Sequence, residues 1–183
     1  MFFSTAPLKD NDILLKLLKK QMKKIELICV GKIKENYLKD AIAEYQKRLT
    51  RYCDLSVFEI KDEGDNLGIA IVKESNAIIE KICRGGTLPS AHNNSYTILL
   101  DIQGEQISSP QLAQTIDTAF TKGHSKIQFI IGGSHGVDNT VKQSAAKTIS
   151  FGRITYPHQL MRVICLEQIY RSMCILGNVP YHK

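Results

Sequence analysis

A glycine-rich turn is the part of the chain where residue types and spacing most directly indicate chemistry. In the segment KIQFIIGGSHGVDNTV, residues 126–141, an apolar run meets the turn Gly132-Gly133-Ser134-His135-Gly136. This turn matches the G-x-S-x-G pattern that presents the nucleophilic serine of a hydrolase. Glycines in such a turn can also hold a phosphate, or let the backbone approach some other ligand closely.

The residues that follow the turn disfavour a hydrolase. A hydrolase of this kind needs an acid and then a histidine later in the chain. The only later acids are Asp138 and Glu167. Asp138 is suited to cap the N-terminus of a helix, and Glu167 stands four residues before Arg171, where a helix brings the two into an ion pair. Because both acids have local partners, Ser134 is not predicted to be a nucleophile.

A phosphate site is also disfavoured at this turn. The glycine spacing is neither G-x-G-x-x-G nor G-x-x-x-x-G-K-[ST]. Asp138 would occupy the positive end of the next helix, where a phosphate would otherwise bind. The turn is therefore better suited to a neutral or cationic ligand, and the alternative is a tight turn that binds no ligand.

The C-terminal end of the chain carries the second group of candidate residues. The last predicted helix, residues 158–176, is apolar around most of its circumference, so we expect it to be buried on more than one side. The sheet would cover one side, and either a second copy in a two-fold homodimer or more of the same chain would cover the other. Tyr181 and His182 lie in the tail GNVPYHK, at a terminus that is usually frayed.

Hydrophobic periodicity predicts strands that alternate with helices along the chain. The predicted strands cover residues 25–30, 55–60, 96–101 and 127–131. The predicted helices cover residues 38–52, 67–83, 109–122 with Ser109 as N-cap, 138–148 and 158–176. This alternation predicts an α/β fold with a mostly parallel sheet and helices on both of its faces.

Length and composition favour one globular domain. The chain has 183 residues, 43% of them hydrophobic. Residues 22–183 are predicted to form the domain, and residues 1–21 an N-terminal extension outside its core. The apolar runs are far shorter than the roughly 20 residues that span a bilayer, and no secretory signal is evident. The five cysteines are widely spaced without a C-x-x-C pair, which disfavours a metal site and favours a cytoplasmic protein.

The net charge of +6 is unevenly distributed along the sequence. Residues 139–183 contain six basic side chains and only one acid, Glu167, whereas residues 25–138 contain 12 basic and 15 acidic side chains. The C-terminal quarter is therefore the candidate contact for a polyanion. A basic face that contacts only solvent is the alternative.

Three C-terminal motifs carry a resemblance to a known family. The segments FIIGGSHG, ISFGRITYPHQLMRVICLEQIYRSM and PYHK are similar to those of the ribosomal large-subunit methyltransferase H family, bacterial enzymes of the SPOUT class. The segment MKKIELICVGKIKENYLKDAIAEYQKRLTRY resembles the opening of that family. The resemblance covers residues 22–183, is loose over residues 61–95, and does not include residues 1–21.

The resemblance implies a specific activity and fold. It implies S-adenosylmethionine-dependent methylation of N3 of a pseudouridine in a 23S rRNA stem-loop, within assembled ribosomes. It also implies a homodimer with the SPOUT fold, an α/β sheet whose C-terminal segment passes through a loop to form a deep trefoil knot. Periodicity alone would not indicate the knot, because chains almost never thread loops.

The same resemblance implies the site residues, position by position. The methyl donor would be held by three bends, made of Leu100, Gly132, Phe151, Gly152, Arg153, Ile154, Thr155 and Tyr156. The catalytic residues would be His158, Arg171, Tyr181 and His182. A histidine has a suitable pKa to accept the N3 proton, arginine could stabilise charge on the base, and tyrosine could stack on it.

Without the resemblance, each of these side chains has a structural explanation. His158 could cap the last helix, Arg171 could only pair with Glu167, and Tyr181 could only anchor the tail. Two other functions also stay open. One is a SPOUT enzyme that methylates a ribose hydroxyl or another base of RNA, and the other is a ribosome-binding factor with this fold and no turnover.

Overall fold

A computed structural model describes residues 22–64, 67–83 and 94–181 of the chain. The described strands form a single sheet in the order β2-β1-β4-β3-β5, and every neighbouring pair is parallel. The strands are β1 (Lys23–Val30), β2 (Cys53–Ile60), β3 (Ser95–Gln106), β4 (Lys126–Ile131) and β5 (Lys147–Ser150). The helices are α1 (Asn36–Leu49), α2 (Leu67–Cys83), α3 (Ser109–Thr121), α4 (Asn139–Ser144) and α5 (His158–Leu176).

Helices cover both faces of the sheet, as the sequence predicts. One face packs on α1, α3 and α5 through a core that includes Leu27, Phe129 and Leu166. The other face packs on α2 and α4 through a smaller core that includes Ile130 and Val141. The central strands β1 and β4 read as nearly continuous apolar runs because side chains on both of their faces are buried.

The predicted helix over residues 138–148 is wrong in its second half. Helix α4 ends at Ser144, and a fifth strand begins at Lys147. The backbone becomes extended at Ala145, and the amide of Ala146 donates to the carbonyl of Thr97 on β3. Pairing with the sheet therefore overrides the helical preference of the two alanines.

The N-cap of α3 is Ser108 rather than the predicted Ser109. The Ser108 hydroxyl accepts a hydrogen bond from the Gln111 amide, and the Gln111 side chain accepts one from the Ser108 amide. This reciprocal capping box requires a spacing of three residues, which Ser108 satisfies with Gln111. The predictions for residues 1–21, for most of the loop before β3 and for His182 lie outside the described residues.

Helix α5 lies between α1 and α3 on one face of the sheet. Its inward side chains, such as Cys165, Leu166 and Ile169, are fully buried within this one chain. Much of the apolar circumference that suggested a partner subunit is thus covered by α1, α3 and the sheet. Apolar side chains that stay exposed or partly exposed occur in both halves of the helix, among them Leu160, Val163 and Ile164 near its start and Ile175 and Leu176 in its last turn.

The pairing of β3 with β5 is interrupted by a bulge that lies against β5. Ile149 is the register partner of both Leu100 and Glu105, so residues 101–104 leave the ladder. At Gly104 this segment packs directly on the β5 backbone. A Cβ atom at Gly104 would lie 2.6 Å from the carbonyl carbon of Ile149 and 2.8 Å from its nitrogen and oxygen.

Candidate functional site

A cavity of about 550 Å³ lies where three backbone bends converge on one edge of the sheet. Its walls come from the part of β3 around Leu100, from the turn after β4, and from the segment that joins β5 to α5. In open parallel sheets this edge, at the carboxyl ends of the strands, is the usual place for a ligand.

The structure brings most of the predicted donor-binding residues together at this cavity. The lining includes the predicted residues Leu100, Gly132, Phe151, Gly152, Ile154, Thr155 and Tyr156. Arg153 is exposed and is not among the lining residues. His158 also lines the cavity, at the first turn of α5.

The glycine turn is folded closely on itself. A Cβ atom at Gly132 would lie 2.9 Å from Cγ1 of Val137 and 3.0 Å from the carbonyl oxygen of Gly136. Gly136 has a φ of +78°, a conformation that favours glycine. A side chain at Gly132 would thus disturb the turn, and its absence leaves backbone facing the cavity.

Asp138 caps α4, as predicted from the sequence. Its carboxylate accepts hydrogen bonds from the amides of Thr140 and Val141, at 3.0 and 3.1 Å. This geometry commits Asp138 to the helix terminus, so it is not an acid partner for Ser134. The structure thus gives no support to a hydrolase triad at the turn.

The cavity is mainly apolar, and no lysine or arginine is among the described residues that line it. Its acidic residue is Asp101, directly after Leu100. The Asp101 carboxylate pairs with Lys142 at 3.2 Å and accepts from the amide of Gln103 at 2.9 Å. Sequence reasoning missed Asp101, although an acid immediately after a predicted buried strand is a signal that could have found it.

His158 is the titratable base of the cavity wall. The N-cap of α5 is Pro157 and it makes no side-chain cap, so His158 lies inside the first turn rather than at the cap. Burial, followed by the positive charge of Arg162, lowers the pKa of the His158 imidazole below its usual value. The imidazole is thus neutral at neutral pH and can accept a proton.

Arg162, one turn after His158, is a functional candidate that sequence reasoning missed. Only 1% of it is exposed, and it is the largest fully buried side chain of the described residues. Its guanidinium donates to the carbonyl oxygens of Val30 and Gly31 and to the carboxylate of Glu59. The sequence gives no sign of this burial, because an arginine on a helix is ordinarily exposed.

Arg171 and Tyr181 meet at the other end of α5, around one carboxylate. Glu167 Oε1 accepts from Arg171 Nε at 3.0 Å, from Arg171 Nη2 at 2.5 Å and from the Tyr181 hydroxyl at 3.1 Å. The Arg171 guanidinium also lies over the Tyr181 ring, 4.8 Å from its centroid. The predicted pairing of Glu167 with Arg171 is confirmed, and Tyr181 shares it.

The two groups of candidate residues are far apart within one chain. Thirteen residues separate His158 from Arg171 on the continuous helix α5. At 1.5 Å per residue this is about 20 Å. The structure therefore does not bring Arg171 and Tyr181 to the cavity that His158 lines.

Comparison with known proteins identifies the family. Residues 22–182 match the family described as "Predicted SPOUT methyltransferase". A protein of Fusobacterium nucleatum subsp. nucleatum named ribosomal RNA large subunit methyltransferase H is 44% identical, over 87% of this chain and 99% of its own length. A protein of the same name from Streptococcus uberis is 47% identical with the same coverage. The chain therefore belongs to the SPOUT methyltransferases and, within that class, to the ribosomal RNA large subunit methyltransferase H family.

A solved structure supports the fold independently. The crystal structure of a probable methyltransferase from Bordetella pertussis Tohama I is similar with a TM-score of 0.52, over 86% of this chain and 99% of that one. The sequences are only 8% identical, so this similarity concerns the fold alone.

The described residues contain neither a candidate group of metal ligands nor a candidate membrane-spanning helix. Within residues 22–64, 67–83 and 94–181, no three histidine, cysteine or acidic side chains group together as metal ligands would. No helix in this part of the chain combines the length and apolar character that crossing a bilayer requires.

Proposed function

We propose that this chain transfers a methyl group from S-adenosylmethionine to N3 of a pseudouridine in a stem-loop of 23S rRNA, within assembled ribosomes in the cytoplasm. The observation that carries the proposal is the convergence of the bends around residues 100, 132 and 151–156 on one cavity. Relatives that the chain matches over 99% of their length are named ribosomal RNA large subunit methyltransferase H.

The cavity suits S-adenosylmethionine in charge and shape. The donor carries a sulfonium and an ammonium group but no phosphate, and no lysine or arginine is among the described lining residues. The backbone at Gly132 and at residues 151–156 can bond the adenine and the carboxylate, while apolar side chains such as Leu100 cover the rest. Asp101, at the same wall, adds a carboxylate that is already paired with Lys142.

The residues of the cavity would hold the donor and exclude water from it. When bound, S-adenosylmethionine supplies an activated methyl group on its sulfonium. The apolar lining around Leu100 and Ile154 would keep water away, and the rigid bends would fix the direction of approach. The two effects favour transfer to a base over reaction with water.

The N3 proton of the target base must leave during transfer, and we assign it to His158. This histidine lines the cavity, and its lowered pKa leaves the imidazole neutral and able to accept a proton. We assign Arg171 to stabilise the charge that develops on the base carbonyls, and Tyr181 to stack on the unpaired base. His182, next to Tyr181 in the sequence, would contact the same base.

A homodimer would unite the two groups of residues. Because about 20 Å of helix separates His158 from Arg171 in one chain, we propose that the Arg171 end of a second copy meets the cavity. Apolar side chains next to the cavity are suited to such contact: Ile154 is 69% exposed and Leu160 is 37% exposed. A two-fold dimer would form two such composite sites.

We also propose that the C-terminal segment is threaded as a trefoil knot in a domain of residues 22–183, with residues 1–21 outside its core. The close packing of Gly104 on the backbone of Ile149 supports the threading, because a loop that encloses a strand must contact it closely. The family match that begins at residue 22 supports the domain boundary.

Two measurements test the proposed function. Calorimetry should detect binding of S-adenosylmethionine, and mass spectrometry should detect a methyl group on N3 of one pseudouridine after incubation with ribosomes that lack it. If the methyl group were instead found on a ribose or on another base, the activity would be that of a different SPOUT RNA methyltransferase. No donor binding together with retained ribosome binding would indicate a binding factor without turnover.

A further inference from the structure

Arg162 is a buried charge at the junction of three elements. It lies one turn after His158 on α5, and only 1% of it is exposed. A charge in this position is unfavourable unless it is paired, and apolar side chains of similar volume commonly give equal or greater stability. Stability alone therefore does not explain why an arginine stands at position 162.

The guanidinium of Arg162 joins the ends of β1 and β2 to α5. Its Nη2 donates to the carbonyl oxygens of Val30 at 2.6 Å and Gly31 at 2.8 Å. Its Nη1 donates to the Glu59 carboxylate at 2.9 Å. A planar guanidinium fork can make these bonds simultaneously, whereas a lysine ammonium cannot reproduce the same geometry.

The backbone that Arg162 holds lies beside His158. Gly31 has a φ of +86°, and a Cβ atom built on it would lie 3.5 Å from Nε2 of His158 and 3.7 Å from Nη2 of Arg162. The carboxylate oxygen Oδ2 of Asp62 would lie 3.8 Å from the same Cβ atom. The bend at Gly31, the imidazole and the guanidinium thus lie close together beside the cavity that His158 lines.

Charged groups from several elements act on His158. Arg162 on α5 and Lys34 after β1 disfavour its protonation, whereas Asp62 after β2 and Glu74 on α2 favour it. After burial, Arg162 has the largest of these effects, and the net result is a lowered pKa of His158. The buried guanidinium thus acts on both the position and the charge of this imidazole.

Building on the methyl transfer proposed above, we propose that Arg162 is a positioning residue, which fixes the end of β1 against the first turn of α5 and thereby holds the His158 imidazole at the cavity wall. Its charge adds to the effect of burial in keeping that imidazole unprotonated and ready to accept the proton of the target base. Arg162 itself does not contact the donor or the base.

Two substitutions separate the charge of Arg162 from its geometry. Arg162→Lys keeps the charge and loses the fork, and Arg162→Met loses both. The titration of His158 is followed by NMR in each full-length variant, with His158→Gln used to assign the signal. Arg48→Met is the control, because Arg48 is likewise a helical arginine that pairs with a carboxylate, that of Glu44, but it does not act on His158.

We expect His158 to titrate at higher pH in Arg162→Met than in the parent protein, and near the parent value in Arg162→Lys and Arg48→Met. In both Arg162 variants kcat should fall about 10- to 100-fold because the imidazole is displaced. Donor affinity should stay unchanged in both, since Arg162 is not among the lining residues of the donor cavity.

If Arg162→Met does not fold, Glu59→Gln provides the second test. This variant removes one hydrogen-bond acceptor of the guanidinium and keeps the positive charge of Arg162. We therefore expect kcat to fall while the pH at which His158 titrates does not rise. Folded Arg162 variants with the parent titration and the parent kcat would overturn the inference. If the parent protein methylates no rRNA, the proposed function fails, and the NMR titration still decides whether Arg162 controls His158.

Discussion

Glu167 organises the C-terminal end of α5 at the scale of single residues. Its Oε1 atom accepts hydrogen bonds from Arg171 and from the Tyr181 hydroxyl, so a carboxylate on the helix fixes the tail that follows it. Tyr170 packs on the Tyr181 ring, with 4.9 Å between centroids. The ion pair of Arg171 with Glu167 could have served stability alone. Because Glu167 also accepts from Tyr181, the same carboxylate orients Tyr181.

Tyr181 should ionise at unusually high pH. Burial, together with hydrogen bonds to Tyr45 and Glu167, raises the pKa of Tyr181 to about 12. A raised pKa in the folded state means that the associated stability is present below the ordinary value of about 10 and is lost as the pH rises from there towards 12. Ultraviolet titration of Tyr181→Phe should therefore lack the last tyrosinate to form in the parent protein.

The same variant should lose less stability than the parent between pH 10 and pH 12. The buried thiols Cys29 and Cys53 also have pKa values raised to about 12, but they contribute equally to both proteins. If the tyrosinate that is missing from Tyr181→Phe formed near pH 10 in the parent protein, the packing at this end of α5 would be contradicted.

The sequence could predict the residues whose role follows from local pattern, and not those whose role follows from burial. Asp138 as a helix cap and Glu167 as the partner of Arg171 depend on spacings of a few residues, so both were predictable. The burial of Arg162 depends on which elements pack around it, and no local spacing encodes that, whereas Asp101 directly follows a predicted buried strand and could have been found. The resemblance placed Arg153 among the donor contacts, whereas its side chain is exposed and outside the cavity lining.

At the scale of elements, the contact of β3 with β5 positions two walls of the cavity. Residues 101–104 leave the ladder and pack on Ile149, so Leu100 and Phe151 approach the cavity from two strands that brace each other. The close approach at Gly104 is to backbone atoms, which cannot move aside as the tip of a flexible side chain can.

Gly104→Ala should destabilise the protein strongly. Its Cβ would lie 2.6 Å from the carbonyl carbon of Ile149, and overpacking of this kind costs about 1–3 kcal/mol, with the upper end expected where backbone must shift. Gly68→Ala on α2 is the control, because no atom lies within 4 Å of its Cβ. Gly68→Ala should raise the free energy of unfolding by about 1 kcal/mol or less, because alanine favours a helix more than glycine does. Equal stability of the two variants in denaturant titrations would contradict the tight contact.

Element prediction succeeded where periodicity or flanking residues were clear and failed where tertiary pairing decided. The predicted helix over residues 67–83 has the observed bounds because its apolar residues recur with helical spacing. The last helix, 158–176, has the observed bounds because Pro157 precedes it and Gly177 follows it. Strand β5 is four residues long and follows two alanines, so its sequence reads as a continuation of α4. Only its pairing with β3, which begins at the bond from the Ala146 amide to the Thr97 carbonyl, distinguishes the two.

At the scale of the molecule, the uneven charge predicts where RNA would bind. Arg153 is exposed beside the cavity and carries one of the six basic side chains of residues 139–183. If it contacts a phosphate, Arg153→Ala should weaken rRNA binding and reduce the slope of log affinity against log salt by about 0.7 to 0.9. Lys122→Ala, an exposed cation in the acidic part of the chain, is the control. The same slope in both variants would remove Arg153 from the RNA contact.

The case for a dimer depends on distance rather than on the apolar character of α5. The helix is largely buried between α1 and α3 of its own chain, so its composition does not require a second copy. The separation of about 20 Å between His158 and Arg171 does require one if both act on the same base. A sedimentation mass near twice 20.6 kDa is the first expectation from this geometry.

Complementation between two inactive variants tests the composite site directly. Gly132→Val should block the donor cavity, because a Cβ there already lies 2.9 Å from Val137 Cγ1, and Arg171→Ala should remove the other half of the site. In a mixed dimer, one site would combine the intact cavity of one copy with the intact Arg171 of the other. Random mixing makes about half of the dimers mixed, each with one working site of two, so about one quarter of the parent activity should return. Thermal unfolding of each variant shows whether it is folded. If each site were built within one chain, every site would carry a defect and the mixture would stay inactive.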